Sequence, residues 1–196
     1  MTFLHLQEKH LVNININFDD IYNIESLEPD LSRFVFKSPV SDIMSIEIIV
    51  KIEPAFNPFL LEFFNMSFGP AIEGEHNRLD DFAKVPHVNP SKTFSTILFC
   101  GLLYLQSNKG NYLDFDGSDF RRAYLYYRTI QRNFNYLSNI FKLVGIKYYA
   151  RVIRGKDKND LMTVDESELT FIPYLIENHP LTNHKSLFNY FTFYLK

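Results

Sequence analysis

The chain predicts an α+β fold: a mainly antiparallel sheet packed against a central buried helix and a second helical segment. Three observations predict it. Short runs rich in Ile, Val and Phe, separated by turn residues, fill the N-terminal part. Such runs are strands with close connections, which pair antiparallel. One capped, apolar helix follows at Asn89-Pro90, and a second helix follows Gly117-Ser118. Strand-like runs return from Ile146 onward, so the order is strands, helix, strand, helices, strands.

The elements follow in order. Residues 12–18 alternate apolar and polar, the mark of a half-buried strand. Residues 19–31 are acidic and turn-like. Residues 33–37 and 46–52 read as strands, and 59–68 as an aromatic strand closed by Gly69-Pro70. Residues 69–88 form a long loop. Asn89 then caps a helix whose first position is Pro90, where the missing N–H is not needed. Its apolar residues, from Phe94 to Leu105, occupy more than one face, so it is buried, and Gly110 can take the left-handed conformation beyond its end. Residues 111–116 form a short strand. In the second helix, capped by Ser118, Ala123, Tyr127, Ile130 and Phe134 share one face, while Arg121, Arg128 and Arg132 share another. Asn133 and Asn135 break it before a short helix through Leu143, with Gly145 after that. Residues 146–153, 169–175 and 188–195 are the last strands, with a charged turn at 155–160.

Composition narrows the function classes. At 196 residues the chain supports one good core and is read as a single domain, residues 1–196. Hydrophobic residues at 46% and charged residues at 22% fit a globular protein, and 20 Phe with 12 Tyr favour sheet. The one cysteine, Cys100, cannot form an intramolecular disulfide. No signal-peptide pattern opens the chain, and no run approaches ~18 uninterrupted apolar residues, so no membrane association and a cytoplasmic location are expected.

Charge is uneven. Arg121 to Lys158 holds ten of the 20 basic residues and one acid, Asp157, leaving ten basic against 22 acidic residues elsewhere. A positive face attracts phosphate or an acidic protein partner. The alternative is a solvated surface balanced by acids that are near in space and distant in sequence.

Asn65-Met66-Ser67-Phe68-Gly69, the capped helix at Asn89, and Gly117-Ser118 followed by Arg122, Leu125 and Tyr126 resemble an uncharacterised bacterial domain family of unknown function. Its members are small cytoplasmic proteins with a strand ending in a Phe-Gly turn, a central helix and a Gly-Ser-x-x-x-Arg-x-x-Leu-Tyr segment. The resemblance spans roughly residues 33–153. It carries over Gly117, Ser118, Arg122, Leu125 and Tyr126. The chain departs from the family at Asp119, where a small neutral polar residue is common, and at Tyr124, where a second basic residue is usual.

Candidate chemistry gathers in the same stretch. Gly117 and Ser118 at a helix start, with Arg121 and Arg122 in the first turn, offer free N–H groups and guanidinium donors to an anion. An ordinary helix cap is the other reading. Arg121, Arg128 and Arg132, near Tyr124, Tyr126 and Tyr136, fit phosphates and stacked bases of single-stranded nucleic acid, unless those tyrosines are core. Tyr148 and Tyr149, flanked by Lys147 and Arg151, extend that patch. None of the six histidines forms a metal-binding pair, so neither a metal nor another cofactor is expected. His87 alone merits attention as an acid or base. Asp80 and Asp81, with Glu73 and Glu75, offer carboxylates to a divalent cation, but loop acids this close are commonly just solvated. No phosphate-loop or dinucleotide fingerprint occurs.

The leading expectation is a non-enzymatic module binding nucleic acid, a nucleotide or another phosphorylated ligand, in a bacterial defence or toxin–antitoxin setting. A metal-independent ribonuclease toxin and a protein-interaction subunit are the alternatives. Oligomeric state is not legible.

Overall fold

A computed structural model describes residues 13–55, 62–75, 78–116, 120–153, 163–178, 188 and 190–196. Strands β1 (Ile24–Ser26), β2 (Arg33–Pro39), β3 (Ser45–Pro54) and β4 (Phe63–Pro70) form an antiparallel meander. Helix α1 (Pro90–Ser107) returns the chain so that β5 (Tyr112–Asp116) lies parallel to β4. Helices α2 (Phe120–Arg132) and α3 (Phe134–Leu137) then lead to β6 (Phe141–Ile153), paired with β7 (Thr163–Leu175). The C-terminal β8 (Tyr190–Leu195) inserts between β5 and β6, giving the order β1-β2-β3-β4-β5-β8-β6-β7.

Because β8 is antiparallel to both neighbours, β5 and β6 run in the same direction. The segments containing α1 and α2 are therefore both crossovers between strands of like direction. Helices in such crossovers start at the carboxyl ends of the strands they follow, where α/β sheets commonly place ligands.

Alternation sets which side chains meet the helices. Phe34 and Phe36, Ile48, Val50 and Ile52, Met66, Leu113 and Phe115, and Phe191 and Phe193 are all buried in one core with both helices. Gly101 lets α1 sit close to the sheet: a Cβ there would lie 2.8 Å from Leu113 Cδ2 and 3.3 Å from the Met66 sulfur. Its cap is as the sequence predicts, with Asn89 Oδ1 accepting the Lys92 N–H at 3.0 Å. Gly110 has φ of +97°, the turn beyond the helix.

Several elements differ from the sequence reading. Residues 13–17 are not a strand, although Ile14 and Ile16 are buried and Asn13 and Asn15 exposed as alternation demands. Their ladder is replaced by helix side chains. The N–H groups of Asn15, Ile16, Asn17 and Phe18 donate in turn to Ser91 Oγ, Asn133 Oδ1, Ser95 Oγ and the Tyr136 hydroxyl. A period of two reports an extended chain with one buried face, whatever satisfies its backbone. The acidic stretch contains the three-residue β1, too short to register as a pattern. The short helix stops at Leu137, and residues 141–145 already belong to β6. Gly145 thus ends no helix. Its bare backbone receives the Phe188 ring, which a Cβ would approach to 2.3 Å. The charged turn at 155–160 lies outside the described residues.

Asn133 clamps the N-terminal segment. Besides accepting from Ile16 at 2.8 Å, its Nδ2 donates to the carbonyls of Ile14 at 3.0 Å and Thr129 at 2.8 Å. Asn133→Ala strands the Ile16 donor and the Ile14 acceptor together. A loss of about 2 kcal/mol is expected in urea unfolding, with faster hydrogen exchange at Ile16. An unchanged exchange rate there would refute the clamp.

Candidate functional site

The register of the parallel pair leaves a notch. Pairing of β4 with β5 runs from Phe63↔Tyr112 to Asn65↔Asp114, and β4 continues five residues beyond it to Pro70. The N-terminal part of α2 and the loop at residues 81–87 border this notch, enclosing a cavity of about 380 Å³. Met66 and Phe68 of β4, Phe115 of β5 and Phe94 and Ile97 of α1 give it an apolar lining. Arg122, Leu125 and Tyr126 come from α2, and Lys84 and His87 from the loop.

Two segments that carry the family resemblance meet here. Residues 65–69 and Arg122, Leu125 and Tyr126, more than fifty positions apart in the chain, line one space. Arg122 is half-buried, and its guanidinium carbon sits 5.0 Å from the ring centre of Phe82, a loop side chain that is 69% exposed. Tyr126 packs edge-on to Phe115 and Phe191, with ring centres 6.2 Å away in each case. It is a wall residue with part of its surface in the core.

The other sequence candidates go elsewhere. Arg128 Nη2 donates to Asn13 Oδ1 at 3.0 Å, and Arg132 Nε to Asn15 Oδ1 at 2.7 Å. These arginines bridge α2 to the N-terminal segment through asparagine amides, not carboxylates. Lys142 and Lys147 stand on opposite faces of β6, over the Tyr194 ring at 5.4 Å and the Tyr174 ring at 5.1 Å respectively. The described basic residues of this run are therefore shared among several surfaces. Gly117 and Ser118 lie outside the described residues. Of Arg121, Tyr148, Tyr149 and Arg151 only the backbone is described. Tyr136, partly exposed, uses its hydroxyl on the Phe18 N–H and is not beside the cavity lining. Tyr124 is half-buried on α2.

His87 enters the site through hydrogen bonds. Its Nδ1 lies 2.8 Å from Ser38 Oγ, which lies 3.0 Å from Thr93 Oγ1. Ser38 and Thr93 are buried, and Thr93 also lines the cavity. Burial holds the His87 pKa below its ordinary 6.5. The sign of the linkage follows. Below pH 6.5 the unfolded chain takes up a proton at this residue that the folded chain resists, so stability present above that pH is lost as acidity rises. Urea unfolding between pH 7 and 5 should therefore show a steeper decline for the native protein than for His87→Gln. Parallel curves would contradict this.

Of the loop acids, Asp80 and Glu75 are engaged within the loop, while Asp81 lines the cavity. Asp80 accepts the Phe82 N–H at 2.9 Å, and Glu75 pairs with Arg78 at 2.9 Å. Among the described residues no group of three or more His, Cys, Asp or Glu is placed to hold a metal. Cys100 is fully buried, and burial pushes its thiol pKa up, as its place on the apolar helix predicts. Sequence reasoning missed Phe82, Ser38 and Thr93. An exposed Phe in a charged loop was the available signal for the first. The two hydroxyls gave none, because their partner lies 49 residues from one of them.

No helix among the described residues is long and apolar enough to cross a membrane. No curated protein and no solved structure matches the chain. A family model does match, over residues 19–161. The Phe-Gly turn, the capped helix and the Arg-x-x-Leu-Tyr segment all fall within that span, and the chain belongs to the family of unknown function designated DUF6934.

Proposed function

We propose that this protein is a non-enzymatic binding module for a phosphorylated ligand of nucleotide size, taken into the cavity beside the end of β4. One observation carries the reading: Arg122 and Tyr126 line the same apolar-floored space as the Phe-Gly turn. A volume of about 380 Å³ suits a small organic ligand. Aromatic walls accept a planar group. A half-buried guanidinium is the side chain best matched to phosphate, because its planar fork donates two hydrogen bonds with charge. Lys84 adds a second positive charge to the lining, against the one carboxylate among its described residues, Asp81. The single-stranded nucleic acid reading narrows accordingly to a terminal or flipped nucleotide, since Arg128 and Arg132 are occupied with Asn13 and Asn15.

Calorimetry with adenosine 5′-monophosphate at low salt tests this. Arg122→Ala should weaken binding about 10- to 100-fold, the worth of hydrogen bonds to a charged group. Arg122→Lys should recover part of it. Affinity should fall with added salt. Absence of binding to nucleotides, RNA and DNA at low salt would remove the proposal.

A further inference from the structure

Strand β1 ends the sheet and, among the described residues, has a neighbour on one side only. Parity shows which of its backbone groups face away. The Leu27 N–H donates to the Arg33 carbonyl at 2.9 Å, so in this antiparallel register Glu25 and Leu27 bond to β2. The N–H and C=O groups of Ile24 and Ser26 therefore point outward from the sheet. Their side chains lie on the helix face, opposite Phe36 and Phe34. There they border a groove of about 550 Å³, walled by Tyr22, by Leu31 and by Phe99 and Leu103 of α1. No residue lines both this groove and the cavity beside β4. The edge itself carries acids. Asp19, Asp20, Glu25, Glu28 and Asp30 fall between Asn13 and Ser32, a stretch without Lys or Arg. Asp20 pairs with Lys92 at 2.7 Å, and Asp30 accepts from the Ser32 hydroxyl. Glu25 and Glu28 are exposed, with no ion pair among the described residues. Alternation turns Glu25 to the face opposite the groove. Arg33 and Lys37 flank its partner Val35 on that face, and neither pairs with it.

We propose that the β1 edge takes a strand from a protein partner, an extended segment with apolar residues on one face and Lys or Arg on the other. Its main chain pairs with Ile24 and Ser26, its apolar side chains enter the groove, and its cations meet Glu25. Two β1 edges do not fit each other, because like charges set opposite are destabilising. The chain's own basic strand, β6, is already paired on both sides. The segment therefore comes from a different protein.

A fluorescent heptapeptide alternating Val and Lys tests this, against a peptide of the same composition with Val and Lys in separate blocks. By anisotropy at low salt the alternating peptide should bind about five- to tenfold more tightly, the worth of one or two cross-strand pairs. Amide hydrogen exchange at Ile24 and Ser26 should slow on binding, while Glu25 and Leu27, already bonded to β2, keep their rates. Glu25→Lys should weaken binding about three- to tenfold. Ser26→Pro removes an outward N–H and no bond to β2, and should weaken it at least as much. Should that variant not fold, Glu25→Lys and the exchange rates decide. Equal binding of the two peptides would reduce the contact to charge and overturn the strand addition. Unchanged exchange at Ile24 and Ser26, full affinity in Glu25→Lys, or no binding of either peptide would overturn it as well.

Discussion

Phe191→Ala is expected to cost 3–5 kcal/mol of folding free energy, the range for removing a fully buried Phe. Phe191 has no exposed surface and stands in β8 between β5 and β6, with Phe115 opposite on one side and Gly145 on the other. Its ring contacts Tyr126 of α2 and Phe188, at 6.2 and 6.1 Å. Truncation opens a void where the second crossover packs on the sheet. Collapse to fill it is hindered, because the strand is hydrogen-bonded on both edges and its neighbours are bulky rings. Whole domains are stable by only about 5–15 kcal/mol, so this loss approaches the total for a weak one. Urea unfolding at pH 7 measures it. Phe191→Leu, which keeps most of the volume, should cost less than half as much. A loss below about 1 kcal/mol for alanine would show that α2 does not rest on this strand.

This residue marks how far the sequence could be read. Its place in a C-terminal strand was legible, and so was the helix start at Asn89-Pro90, from its cap and its proline. Its neighbours were not. β8 inserts between β5 and β6, a pairing that depends on the whole sheet being assembled, and no local pattern encodes it. The same limit governed residues 13–17. Burial periodicity was correct there, but the pattern is blind to whether a strand or a row of helix side chains receives the N–H groups. Gly145 shows the converse. A glycine near a presumed helix end reads as a terminator, and only Phe188, 43 positions later, gives its actual reason.

The site was legible in part for the same reason. Arg122 and Tyr126 were identified through a contiguous motif, and both line the cavity. Arg128 and Arg132 sit on the helix face that the spacing predicted. Spacing says nothing of what lies opposite, and here that is Asn13 and Asn15. Among the described basic residues, charge adjacent along the chain is not charge gathered in space. Lys142 and Lys147 were counted together, yet alternation in β6 sends them to opposite faces of the sheet.

Gly69→Ala separates the cavity from the core that supports it. An added Cβ would lie 2.2 Å from the Asp80 carbonyl oxygen and 2.7 Å from its carbon. Both are backbone atoms, so no side chain can swing aside. The loop is fixed at this point, since the Asp80 N–H donates to the Pro70 carbonyl at 3.0 Å. Either that bond breaks or β4 shifts, at about 3 kcal/mol for overpacking of this severity. The moving part carries Phe82, Lys84 and His87, so nucleotide binding should fall at least tenfold, an amount that about 1.4 kcal/mol of lost contact already produces. Gly74→Ala in the same loop is the control. A Cβ there meets nothing within 4 Å, and the cost is confined to its left-handed φ of +80°, about 1 kcal/mol. The two variants thus differ in steric crowding and in distance from the cavity, while the chemical change is identical. If Gly69→Ala binds ligand like the native chain at a temperature where both are folded, the loop does not form the wall that Arg122 and Phe82 share. The cavity would then be open on that side, and the phosphate contact would have to be sought along α2 alone.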